Sequence, residues 1–334
     1  MAKKNSNKEL EALMCLLDEP DDKIFGTIRD RIFAHGILAI PVLETAWENA
    51  FDPLIQHRIE NLIHQIQFES LKLALQKWAR YEHHDLMQGA LLVAKFQYPD
   101  LDTGAVIKKI GQISQDIWLE LNQNLTGLEK IKVINHILFD THKFTGNLTS
   151  INSPENFFIN NLIETKKGSP LILGVIYISL AQSLNMPVYG VDLPRHFVLA
   201  YTDELNILPG DKPGGEVLFY INPFNKGAVF TRHEVELFIK QLKLDKKDSY
   251  FLPCDNKTII RRMINELIRI YNQSGNTDKQ DEMNELLGMV VVVGKEPVDD
   301  MLALKLFDFL LCERGEIRQV AEVVHEAHEV HDQH

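Results

Sequence analysis

Residues 166–201 read KKGSPLILGVIYISLAQSLNMPVYGVDLPRHFVLAY, and this stretch decides the fold. After Gly168 the side chains of Leu171, Ile172, Val175, Ile176, Ile178 and Leu184 give a broad apolar surface. That pattern predicts a helix to about Leu184. Pro170 fits its first turn, where the missing N–H has no intrahelical partner anyway. β-rich runs follow at 188–191 and 197–201, with a third at 217–221, and short connections between them predict a small antiparallel sheet.

Working outward, residues 8–139 carry apolar side chains at helical spacing, as in Ile55, Ile59, Leu62, Ile63 and Ile66, with Pro20, Pro41, Pro53 and Pro99 as punctuation. The segment 21–67 resembles a helical repeat of the HEAT type, with a break at Gly36. A loop is predicted at 143–155, KFTGNLTSINSPE, where Gly, Asn, Thr, Ser and Pro cluster. Past residue 231 helices return at 231–242, 256–273, 278–293, 298–312 and 316–330, in hairpins of a tetratricopeptide kind. The expected fold class is α+β and predominantly helical. Its regions are a HEAT-like helical one at 8–75, a core at 76–245 and a helical one at 246–334.

Composition narrows the function classes. The formal charge of -12 opposes phosphate backbones, whose binding depends on lysine and arginine displacing counterions, so no nucleic-acid partner is expected. The longest apolar run, 171–184, is shorter than the roughly 18 to 20 residues of a membrane span. Cys15, Cys254 and Cys312 are an odd, widely spaced set that suits a reducing compartment. The start, MAKKNSNKEL, has no apolar run behind its lysines, so the cytoplasm is the expected location. Residues 210–215, GDKPGG, lack the strand and helix context of a nucleotide-binding loop, and no cofactor is expected.

The segment 166–201 resembles the core of SirB-type transglutaminase-like proteins. It carries Gly168-Ser169-Pro170, the apolar helix, Leu184-Asn185-Met186-Pro187 and Pro194-Arg195-His196-Phe197 in the family's order and spacing. Asn185 and Arg195 stand where the family pattern has glycine. Residues 89–102, GALLVAKFQYPDLD, are similar to the family's upstream helix, and 221–227, INPFNKG, to its Asp-Pro-Phe-Asn-Gly-Gly turn. A helix with Arg261, Arg262, Met263, Asn265, Leu267 and Tyr271 resembles the segment that follows the core. The likeness implies a transglutaminase-like fold over about residues 80–275.

In active transglutaminase-like enzymes a cysteine opens the core helix, a histidine follows on a strand, and an aspartate sits on the next strand. The likeness places these at Pro170 with Ser169 beside it, at His196 and at Asn222. Proline supplies no nucleophile, and losing the nucleophile of a triad that acts as a unit costs on the order of a millionfold in rate. The expected function is therefore non-catalytic: a protein-binding, scaffold or regulatory module. The alternative is a hydrolase or amide-processing enzyme using Ser169, His196 and Asn222. Against it, each residue has a structural role open to it: a helix cap for Ser169, a buried backbone partner for His196, a turn start for Asn222. His325, His328, His331 and His334 recur every third residue, a spacing that also fits the solvated face of a terminal helix, and no metal site is expected.

Overall fold

The computed structural model describes residues 9–149, 152–203 and 215–291. The chain divides into two compact units, one running to Gln76 and including Leu92–Leu101, the other formed by Lys77–Leu91 and the chain from Asp102 onward.

The first unit is helical. Helix α1 (Asp22–Ala34) begins where the Asp21 carboxylate accepts hydrogen bonds from the backbone N–H groups of Lys23 and Ile24, at 2.8 and 3.2 Å. These satisfy two of the donors that a helix start leaves unpaired. It ends at the break expected from Gly36, whose φ of +54° is costly for a residue with a side chain. Helices α2 (Ile40–Asn49) and α3 (Pro53–Lys77) follow, and Ile28, Ile32, Leu43, Ile59 and Leu62 make a shared core with Leu13 and Leu17. Arg58 ties the preceding chain to α3: its guanidinium donates to the carbonyls of Leu17 and Glu19, both at 2.8 Å, and lies 4.1 Å from the Phe25 ring centroid.

Helix α4 (Leu86–Gln97) is followed by α5 (Thr103–Glu120) and α6 (Gly127–Asn135). The predicted loop at 143–155 contains a two-residue strand, β1 (Thr145–Gly146), which pairs in parallel with β2 (Lys167–Gly168). Between them lies α7 (Ile159–Thr165), and directly after β2 comes α8 (Pro170–Ser183). The main sheet has the order β3 (Val188–Leu193), β4 (His196–Thr202), β5 (Val217–Asn222), β6 (Ala228–Phe230), antiparallel throughout. Helices α9 (Arg232–Gln241), α10 (Asn256–Ser274) and α11 (Thr277–Val291) follow it.

Three features differ from the sequence reading. Strands β3 and β4 extend to a two-residue turn, Pro194-Arg195, in place of the longer connection expected at 192–196. Strand β6 and the β1–β2 pair were not expected, because runs of two or three residues carry no period to detect. The readings of helices at 298–312 and 316–330, and of the histidines between His325 and His334, fall outside the described residues.

Helix α8 is apolar all round, which suits a helix buried on every side. One face packs on the sheet at Gly174. A Cβ there would lie 2.5 Å from Phe197 Cε1 and 3.3 Å from Leu199 Cδ2, so the missing side chain is what lets β4 approach. On another face the buried Tyr177 hydroxyl donates to Asn135 Oδ1 at 2.9 Å, and Asn135 Nδ2 donates to the Gly227 carbonyl at 2.9 Å. The opposite face of the sheet is covered by Val235 and Ile239 of α9 together with Phe251, packed on Val191, Val198, Ala200 and Tyr220.

Alanine is the better helix former by about 1 kcal/mol, yet Gly174→Ala places its methyl inside the Phe197 ring's van der Waals boundary. The overpacking dominates, and the variant is expected to lose about 1 to 3 kcal/mol of stability in urea denaturation. An unchanged or raised midpoint would show that β4 is not held this closely.

Candidate functional site

Ser169 precedes α8 in an extended conformation, φ -71° and ψ 164°, and its Oγ accepts the Ile172 N–H at 3.3 Å. Its own N–H donates to the Asn156 carbonyl at 3.1 Å, and its carbonyl accepts the Leu173 N–H at 3.1 Å. The residue is buried, and the neighbouring Gly168 faces a filled space, where a Cβ would meet Ile172 Cγ2 at 2.5 Å and Leu162 Cδ1 at 2.9 Å. Pro170 occupies the first turn.

His196 opens β4 and pairs across the sheet with Leu193. Side chains alternate along a strand, so the imidazole shares a face with Val198 and Ala200, while Phe197 and Leu199 point at α8. The ring sits edge-on to Phe238 of α9, with centroids 4.6 Å apart and planes at 86°. Desolvation by burial, then the Arg262 guanidinium, hold its pKa below the usual histidine value, so the ring is neutral near pH 7.

Asn222 ends β5. Its Oδ1 accepts the N–H groups of Phe224 and Asn225 at 3.0 and 3.2 Å, starting a short helical turn at Pro223–Asn225. Lys226 and Gly227 then take left-handed backbone, φ +49° and +72°, and turn the chain into β6. Among the described residues, Ser169, His196 and Asn222 make no hydrogen bond with one another. Serine belongs to the helix on one face of the sheet and histidine packs on the other.

Among the described residues, no cysteine is hydrogen-bonded to His196 or Asn222. Cys15 lies exposed in the first unit, where its Sγ meets the Glu11 carbonyl at 3.5 Å. The Cys254 thiol is held far above its ordinary pKa by burial, with the Asp192 and Asp255 carboxylates adding to the rise, and its backbone N–H donates to the Gly190 carbonyl at 2.8 Å. Cys312 lies outside the described residues. No group of three metal-ligating side chains occurs among the described residues.

Two positions explain a part of the sequence pattern. Asn185 and Arg195, which stand in place of glycines, have φ of +57° and +63°. Glycine takes that conformation without cost, so the resembled pattern and the backbone agree at both turns.

Sequence reasoning missed what surrounds Arg262. This residue of α10 forms an ion pair with Asp192 of β3, and the same Nη1 donates to the Leu193 carbonyl at 2.9 Å. Beside it a groove of about 500 Å³ opens between the β3–β4 turn and α10, lined by Arg195, Arg261, Arg262, Asn265 and Arg269 among others. Arg261, Arg262 and Asn265 were singled out in the sequence only through the likeness of their helix. The available signal was the recurrence of guanidinium groups along one helical face.

Residues 104–265 match the family model described as the Transglutaminase-like superfamily. The chain is 29% identical over 202 residues to a UPF0162 protein of Xylella fastidiosa (strain Temecula1), covering 59% of this chain and 67% of that protein. It is 25% identical over 187 residues to a UPF0162 protein of Vibrio cholerae, covering 55% of this chain and 65% of that one. Human F-box only protein 21 is similar at 22% identity over 197 residues, 58% of this chain but 29% of the F-box protein. No solved structure gives a significant match. No described helix is long and apolar enough to cross a membrane. The chain carries a transglutaminase-like domain within a helical α+β fold, similar in sequence to the UPF0162 proteins.

Proposed function

We propose that this is a non-catalytic transglutaminase-like protein of the SirB type, working in the cytoplasm as a protein-binding, scaffold or regulatory module. One observation carries the reading. Where the active enzymes open the core helix with cysteine, this chain has Pro170, and the adjacent Ser169 hydroxyl is engaged in capping that helix. A serine nucleophile needs a base within hydrogen-bond reach, either directly or through one water. The His196 ring packs instead on Phe238, across the sheet from α8.

A binding role also accords with exposed apolar side chains where α2 meets α3. Phe51 is 99% exposed, with Leu54 at 55% and Trp47 at 40% close by in sequence. A bare phenylalanine on a turn gains nothing from water and is available for contact with a protein partner.

A fluorophosphonate probe tests the assignment, because it marks any serine activated as a nucleophile. Mass spectrometry of the treated protein is expected to find no adduct on Ser169. A stoichiometric adduct there that disappears in His196→Ala would overturn the reading and establish a serine enzyme. Ser169→Ala is expected to cost about 1 kcal/mol, the usual loss for a helix cap.

The histidine makes a second prediction. Its folded pKa lies below the ordinary histidine value of about 6.5, so as the pH falls the unfolded chain takes up this proton first. The stabilising contribution is complete above the unfolded value and is lost as the pH drops through the folded one. Wild type is therefore expected to lose more stability than His196→Gln as the pH falls below about 6.5, compared by urea denaturation. Equal losses would place the imidazole in ordinary solvent.

A further inference from the structure

We propose that the groove between the β3–β4 turn and α10 is a binding site for a phosphate group carried by a small molecule. The site needs neither a reaction nor a protein partner, so it stands apart from the function proposed above.

The groove's charge runs against that of the whole chain. A protein of formal charge -12 gathers four guanidinium groups, Arg195, Arg261, Arg262 and Arg269, around one groove. Two carboxylates also line it, and both are occupied: Asp192 with Arg262, and Glu266 with Arg269 at 3.0 Å. Arg195 and Arg261 are left exposed, and neither has a hydrogen bond or ion pair among the described residues.

The sequence of α10 places these groups deliberately close. Thr258, Arg261, Arg262, Asn265 and Arg269 recur at intervals of three and four, so they form one stripe along the helix, while Ile260, Met263, Ile264 and Leu267 are buried on the other side. Like charges on one stripe repel, by a few tenths of a kcal/mol per exposed pair. An anion bound between them removes that repulsion.

Arg195 reaches the groove from the opposite wall. It follows Pro194 and takes a left-handed φ of +63°, the place in such a turn where glycine is favoured. A guanidinium is thus held at the groove mouth by a backbone conformation that costs an L-residue about 1 to 2 kcal/mol. Arg262 is the fixed element: its side chain is 16% exposed, and one nitrogen is anchored to Asp192 and the Leu193 carbonyl. Its remaining N–H groups, which make no other hydrogen bond among the described residues, are oriented in advance of any ligand.

The ligand class follows from geometry and charge. A guanidinium presents paired N–H donors that match the oxygens of phosphate, and the two unpaired arginines together balance a dianion, one charge more than a carboxylate brings. The Thr258 hydroxyl and the Asn265 amide add neutral donors. A volume of about 500 Å³ lies in the range of small-molecule sites.

Isothermal titration of the full chain with pyrophosphate, inorganic phosphate and acetate at matched ionic strength tests this. Saturable binding of both phosphate probes is expected, with acetate at least about tenfold weaker. Arg261→Gln and Arg195→Gly are each expected to weaken pyrophosphate about tenfold, and the glycine also relieves the left-handed backbone, so folding is preserved. Lys240→Gln, on exposed surface away from the groove, should leave the affinity unchanged. The proposal falls if no probe saturates, if acetate binds as tightly as phosphate, or if the arginine variants bind like wild type. It also falls if Lys240→Gln causes the same loss, since that would reveal a general charge effect.

Discussion

The second unit depends on the burial of α8. A helix with no polar face is stable only when every neighbour supplies an apolar surface, and the surrounding chain is arranged to do this. The sheet reaches it through the missing side chain of Gly174, with Phe197 filling the space. A polar group buried on the helix, the Tyr177 hydroxyl, is matched by Asn135, whose amide in turn holds the Gly227 carbonyl. A buried hydroxyl without an acceptor would cost on the order of 1 to 3 kcal/mol, so this chain of bonds fixes α6, α8 and the β5–β6 turn together. None of these contacts passes through Ser169, His196 or Asn222 as reacting groups. The fold therefore persists whether or not chemistry is done at those positions.

The alternation of β4 then determines where each group goes. Phe197 and Leu199 must face α8 to complete its burial, and this directs His196 to the side covered by α9. A shift of one residue in register would exchange the two sets, bringing the imidazole to α8 and turning Phe197 and Leu199 away from it. The apolar demand of α8 thus excludes the histidine from the helix face, and burial, followed by the Arg262 charge, lowers its pKa where it lies.

This explains which parts were legible in the sequence. The long helices, the three longer strands and the break at Gly36 carry a period or a turn residue that a local window detects, and they lie where the pattern placed them to within a few residues. The identities of Ser169, His196 and Asn222 were equally plain, together with the lack of a thiol at Pro170. Their facing was not, because it follows from the register of β3 against β4 and from the packing at Gly174, both contacts between residues far apart in the chain. Strand β6 follows a turn that the sequence did show at 221–227, but its three residues are too few to carry a period. The arginine stripe of α10 could have been read, but the groove could not, because Arg195 joins that stripe only through the hairpin turn.

The two regions near the β3–β4 turn differ in how fully their local demands are met. Near the core helix Ser169 caps, Asn222 starts a turn, and Asn135 and Tyr177 satisfy each other, while one buried hydroxyl, Ser179 Oγ, has no partner among the described residues. Pairing of that kind at Ser169 and Asn222 is what selection for packing alone produces. Around α10 the opposite holds, since like charges share one stripe and Arg195 adds a further cation on a backbone conformation better suited to glycine. Repulsion and backbone strain that the described residues relieve only in part must be offset by something else or be maintained against a steady tendency to be lost. The groove, and not the remnant of the triad, is where this chain retains an unmet demand for a ligand.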